Sequence, residues 1–179
     1  MAKMIKLTAV LTLIVTAVMA VLFYRFKADA FLTLAITFGT IAYHFWMRLA
    51  VGGLLNMTMK NHADYSKKWY QPRPFEKKLY QKLKVKKWKD KMPTYDGDIF
   101  SLEHNSFDEI AQAMCQAEVV HEVIVVFSFL PLLASIWAGA FGVFLITSIV
   151  AACIDMTFAI MQRYNRPRMV RLAEKTKDR

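Results

Sequence analysis

Apolar residues run along this chain in long unbroken blocks, and charged residues fall between those blocks. Residues 7–24 carry no charge, and their 18 positions at ~1.5 Å per residue reach nearly across a hydrocarbon core of about 30 Å, so they predict a first transmembrane helix. Lys3 and Lys6 ahead of this run resemble the start of a signal peptide. Arg25-Phe26-Lys27 follows it in place of a small-residue cleavage site, so the span is expected to be retained. A second apolar run, 30–55, is interrupted only by His44 and Arg48 and is long enough to cross with tilt. From Val123 to Ile154 there are 32 positions without a charge, too many for one crossing and too few for two of ~20 residues each. Two helices must therefore take in flanking residues, with a turn at Gly139 and Gly142 and spans at 118–138 and 140–162. Pro131 lies inside the third span and predicts a kink, or an early end if no neighbour satisfies the freed carbonyl. The extension draws Glu118, His121, Glu122 and Asp155 towards the bilayer.

The polar stretch 56–117 is more than a linker. Phe75, Leu79, Tyr80 and Leu83 follow Pro74 at helical spacing with lysines between them, ending in Lys86-Lys87-Trp88-Lys89, the pattern of an amphipathic helix lying in the headgroup plane. Ser106 and Glu109 form an S-x-x-E capping box, and Ile110, Met114 and Ala117 continue an apolar stripe towards the third span, so one long helix is expected to emerge from the bilayer there. A basic tail, 163–179, closes the chain. The predicted fold is all-α: a single membrane domain, 1–179, of four transmembrane helices with a basic amphipathic cytoplasmic segment.

Charge fixes the expected orientation. The chain is 56% hydrophobic and yet carries a formal net charge of +10, a combination that suits a membrane protein better than a globule. With the N-terminus inside, 21 of the 24 Lys and Arg residues fall on the cytoplasmic side, which predicts a multi-pass protein of the cell's inner (cytoplasmic) membrane with both termini cytoplasmic. Topology and attraction to anionic membrane lipid account for these basic residues, so nucleic acid is not expected as a partner. Cys115 and Cys153 form no C-x-x-C pair and read as packing residues. The sequence has no HExxH, GxSxG or Walker loop, which disfavours zinc proteases, α/β-hydrolases and P-loop enzymes, and no metal is expected.

Candidate chemistry comes from ionisable residues inside the spans. Arg48 lies seven residues before the end of the second span and Asp155 seven before the end of the fourth, each about 10 Å deep, while Glu118 and His121 open the third. All are expected in the cytoplasmic half of the bilayer. An Arg at mid-membrane costs roughly 2.5–3.5 kcal/mol on insertion scales, so it needs a cavity or a partner, and Asp155 or Glu118 is available. His44 and Arg48 share one helix face, as do Glu118 and His121. A His with a carboxylate one turn away can take a proton from a hydroxyl, so His121 is the expected base, oriented by Glu118, with Arg48 and His44 stabilising the developing oxyanion. Arg163, Asn165, Arg166 and Arg168 of the tail, together with Asp155, Trp88 and Lys89, are the expected substrate-binding residues. The reaction this suits is acyl transfer to an alcohol, with acyl-CoA or acyl carrier protein as co-substrate, a lipid-like acceptor and no permanently bound cofactor. His62 and His104 read as solvated, and His104 with Glu109 only mimics an acyltransferase H-x4-D motif.

Three segments carry a resemblance. Gln162-Arg163-Tyr164-Asn165-Arg166-Pro167-Arg168, Ala117-Glu118-Val119-Val120-His121 and Trp88-Lys89-Asp90-Lys91 resemble the glycosyl-4,4'-diaponeurosporenoate acyltransferases of carotenoid (staphyloxanthin) synthesis, over roughly residues 80 to 170. The resemblance implies esterification of a sugar hydroxyl on a lipid-linked glycoside by a fatty acyl group. Glu118 and His121 fall on the shared turn, and the Arg and Asn residues on the shared tail. The first two spans match less clearly, so no carotenoid preference carries over and the acceptor extends to other glycolipids and amphiphilic alcohols. Two alternatives stay open: a membrane methyltransferase using S-adenosylmethionine, and a non-enzymatic membrane adaptor or lipid-binding protein.

Overall fold

The computed structural model describes residues 2–94 and 97–177, so two positions of the 56–117 stretch and the last two of the 163–179 tail lie outside the described residues. Those residues form seven α-helices and short 3₁₀ turns, with no strand among them: α1 (Ala2–Phe26), α2 (Asp29–Met59), α3 (Glu76–Lys82), α4 (Val85–Trp88), α5 (Phe107–Phe127), α6 (Pro131–Ala138) and α7 (Phe141–Lys177). Four helical stretches are long and apolar enough to cross a membrane: Ala2–Phe26, Asp29–Met59, Phe107–Ala138 and Phe141–Lys177. The chain is thus an all-helical membrane protein, and each helical stretch runs beyond its apolar block into polar sequence.

By compactness the chain divides into two units: Met1–Gly53 with Val123–Asp155, and Leu54–Glu122 with Met156–Arg179. In the first unit, α1 presents apolar side chains almost all round and buries only Ala9 and Thr12. Its seam with α2 is close, since a Cβ added at Gly39 would stand 3.3 Å from the Thr16 methyl, and the Trp46 indole N–H donates to the Ala9 carbonyl at 3.2 Å. Thr12, Thr16 and Thr40 each turn the hydroxyl back onto a carbonyl one turn earlier, which satisfies a polar group without water.

Pro131 ends a helix rather than bending one. It has no N–H to donate to the Phe127 carbonyl four residues earlier. The chain crosses the gap with i→i+3 bonds from Phe129 and Leu130, and α6 restarts with Pro131 in its first turn. The Phe127 carbonyl, which takes the Leu130 N–H at 3.1 Å, also accepts the Tyr43 hydroxyl of α2 at 2.8 Å. The turn into α7 falls at Gly139 and Ala140, both left-handed with φ of 65° and 48°; Gly142 is already helical. α7 then runs through Pro167 to Lys177.

In the second unit the expected capping box is formed: the Ser106 N–H donates to the Glu109 carboxylate at 2.8 Å, and the Glu109 N–H to the Ser106 hydroxyl at 3.3 Å. The amphipathic stretch after Pro74 is two short helices, α3 and α4, separated by Lys84 in the left-handed region at φ 51°. The Trp88 indole folds back over this break and donates to the Leu83 carbonyl at 3.0 Å. Phe75 and Leu83 remain exposed beside the lysines, while Glu76 and Val85 turn inward.

Candidate functional site

The ionisable residues inside the spans gather into two groups, one in each unit. In the first, Arg48 of α2 meets Asp155 of α7. The guanidinium Nε donates to the Asp155 carboxylate at 2.9 Å and Nη2 donates to the same oxygen; Nη1 and Nη2 also reach the carbonyls of His44 and Ala151 at 3.2 and 3.3 Å. Asp155 is buried and Arg48 is nearly so, so the charge that the second span could not carry alone is neutralised by the fourth. His44, one turn before Arg48, is buried with its ring edge-on to Tyr43 at 5.4 Å, and neither ring nitrogen has a hydrogen-bond partner among the described residues.

The second group centres on Glu118 of α5, whose side chain is fully buried. One carboxylate oxygen accepts Arg163 Nη1 at 2.5 Å and the other accepts Arg166 Nη1. The two arginines are three apart on α7 and so share a face. Arg163 spreads its remaining donors over Glu76 (2.6 Å), the Trp69 carbonyl (2.9 Å) and the Gln71 carbonyl (3.0 Å); Arg166 also takes the Tyr70 carbonyl. Three successive carbonyls, 69–71, are thereby held by two guanidinium groups whose charge is balanced by Glu76 and Glu118. The planar fork of arginine suits this multidentate work in a way a lysine ammonium does not. Tyr80 donates to Glu76 at 3.0 Å and stands edge-on to Tyr164 at 5.4 Å. Burial, with the Glu76 carboxylate beside it, pushes the Tyr80 hydroxyl pKa well above its ordinary value.

His121 follows Glu118 by one helical turn and lies flat against Phe158 of α7, with ring centroids 4.9 Å apart and planes 14° from parallel. Beside it, Glu122 accepts the Trp69 indole N–H at 3.0 Å. The structure thus brings Arg48, His44 and Asp155 together in one unit, and Glu118, Arg163 and Arg166 together in the other. Trp88 and Lys89 lie at the end of α4, with Lys89 paired to Asp90 at 2.5 Å and 6.0 Å from the Tyr164 ring centroid. Asn165 is half-buried and Arg168 exposed.

Sequence reasoning did not single out Glu76, Tyr80, Tyr43, Phe158 or the carbonyls of 69–71. One signal for Glu76 was present: it and Asp64 are the only acids between Lys60 and Lys89, and a lone acid in so basic a stretch invites a cation partner. The carbonyls carry no sequence signal.

A family model described as glycosyl-4,4'-diaponeurosporenoate acyltransferase matches residues 66–175, which holds the whole Glu76–Glu118–Arg163–Arg166 network and His121. No curated protein and no solved structure matches the chain.

Proposed function

Given that this chain belongs to the glycosyl-4,4'-diaponeurosporenoate acyltransferase family, and so to the acyltransferases, we propose that it moves a fatty acyl group from a thioester donor, acyl-CoA or acyl carrier protein, to a hydroxyl of a glycolipid or other amphiphilic acceptor. The observation that carries this reading is the arginine-carboxylate network in the matched segment, which fixes α5, and with it His121, against α7. In the proposed reaction His121 takes the proton of the acceptor hydroxyl as that oxygen attacks the thioester carbonyl. The tetrahedral intermediate then collapses, the carbon–sulfur bond breaks, and the imidazolium returns its proton to the departing thiolate. The products are an ester and a free thiol.

Glu118 serves this chemistry indirectly. Its two oxygens accept arginine N–H groups, so its role is to hold Arg163 and Arg166 in place and, through them, the turn of α5 that carries His121. Asn165 and Arg168, less committed than Arg163 and Arg166, are left to meet the acceptor or donor headgroup. Basic residues concentrate in 60–91 and in the tail, which supports a cytoplasmic-membrane protein with both termini on the cytoplasmic side, where soluble thioesters are found. The family assignment favours acyl transfer over methyl transfer and over an adaptor role.

The test is product identification. Purified protein in detergent, given isotope-labelled palmitoyl-CoA and a panel of glycolipids, is expected to yield a labelled ester by mass spectrometry with stoichiometric release of free thiol. Thiol release without any acylated lipid would show a thioesterase instead.

A further inference from the structure

α2 ends at Met59, and the chain leaves it through Lys60 and Asn61, both left-handed with φ of 50° and 59°. Non-glycine residues adopt this region at a cost, and consecutive ones persist only where neighbours hold them. The holding residues lie on α5. Gln116, buried, accepts the Asn61 N–H at 2.7 Å and donates to the Asn56 side chain at 3.3 Å; Gln112 accepts the Ala63 N–H at 3.3 Å, and Asp108 accepts the Tyr65 hydroxyl at 2.8 Å. The turn so fixed walls a cavity of about 560 Å³ whose lining includes Lys60, His62, Lys67 and Tyr70, and a second of about 440 Å³ adjoins it through His62 and Asp64. Both are surface grooves open to solvent.

The wall of the larger cavity is built for an anion. Lys60 and Lys67 are two cationic residues in its lining, against one acid, Asp64. Asp64 accepts the Ser66 N–H at 2.9 Å and the Ser66 hydroxyl at 2.5 Å and keeps its negative charge, so the two lysines leave the wall net positive by one. The cavity also adjoins the candidate site. Tyr70 lines it, and Arg166, which bonds Glu118, both donates to the Tyr70 carbonyl and sits 5.2 Å from its ring. Lys60 and His62 lie before the first residue of the matched family segment, so the family assignment does not reach them.

We infer that this cavity binds the phosphate-bearing head of the acyl donor, with Lys60 and Lys67 as the phosphate ligands. The inference rests on the acyl-transfer reading, in which the donor is a soluble thioester carrier whose pantetheine arm ends in phosphate. Lysines act here as point charges, so binding weakens with ionic strength. An anionic phospholipid headgroup offers the same phosphate chemistry and is the other source to be separated.

The experiment uses the full-length protein and two probes: coenzyme A itself, by calorimetry in detergent, and phosphatidylglycerol, by native mass spectrometry from nanodiscs. K60A/K67A is expected to raise the coenzyme A Kd about tenfold or more while retaining phosphatidylglycerol, and K60R/K67R, which keeps both charges, to bind coenzyme A within about threefold of wild type. Both lysines are exposed, and monodispersity with an unchanged unfolding temperature shows that the variants fold. Loss of phosphatidylglycerol with coenzyme A binding intact would overturn the donor assignment, and wild-type binding of both probes would overturn the site. If the wild-type protein forms ester while K60A/K67A binds both probes normally, this inference falls and acyl transfer stands. If the protein forms no ester but the variant loses coenzyme A, the reverse holds.

Discussion

A guanidinium persists inside a membrane span only with its charge answered, and Asp155 answers Arg48 with two hydrogen bonds in a buried setting. Removing one partner leaves the other uncompensated, so Arg48→Ala or Asp155→Ala is expected to destabilise the protein by about 3–5 kcal/mol, and the two combined by clearly less than the sum. Thermal unfolding in one detergent measures all three; additive losses would show that the residues do not act as a pair. Tyr80 allows a test with pH. Its folded pKa is raised above the ordinary 10.0 by burial and by Glu76, so its contribution to stability is full below about pH 10 and is lost above it, as the unfolded chain ionises first. Stability measured between pH 8 and pH 11 should fall less steeply for Tyr80→Phe than for wild type. Equal distances from the ends of two spans set equal depth and made Asp155 one of two candidate partners for Arg48, with Glu118 the other; the packing of α2 on α7 selects Asp155. The partners of Glu118 were not legible: Arg163 and Arg166 read as substrate-binding residues of a basic tail, and only the helix rotation, set by packing, turns them inward onto α5.

The helices show a similar division. Four membrane-length stretches, the capping box at Ser106 and the turn at Gly139 all follow from local pattern, since each depends on residues within a turn or two of one another. Pro131 left two outcomes open, a kink or an early stop, and the choice lay with a residue 84 positions from the freed carbonyl. Tyr43 gives that carbonyl a second hydrogen bond beside the Leu130 N–H, so Tyr43→Phe should cost about 0.5–1.5 kcal/mol, the net worth of one hydrogen bond. A loss much smaller than this would mean that the i→i+3 bond from Leu130 suffices. The break between α3 and α4 was hidden for a different reason. Apolar spacing continues across Lys84, and its left-handed backbone leaves no mark in a lysine's identity.

Orientation belongs to the chain as one object, because it is set by the asymmetry of its basic residues rather than by any single loop. In a variant with Cys115 and Cys153 replaced by Ala, a membrane-impermeant thiol reagent added to intact cells should label Lys27→Cys and spare Arg171→Cys until the membrane is opened. The opposite pattern would invert the topology and remove soluble cytoplasmic thioesters as donors. The family, in turn, was legible in the turn bearing Glu118 and His121 and in the tail motif, which lie in the matched segment. The single measurement that bears most directly on the mechanism compares wild-type protein with His121→Ala in ester formation from palmitoyl-CoA at saturating donor and acceptor. Loss of a general base should lower the rate by ~10²–10⁴-fold. A His121→Ala enzyme that turns over within a few fold of wild type would contradict the role assigned to His121.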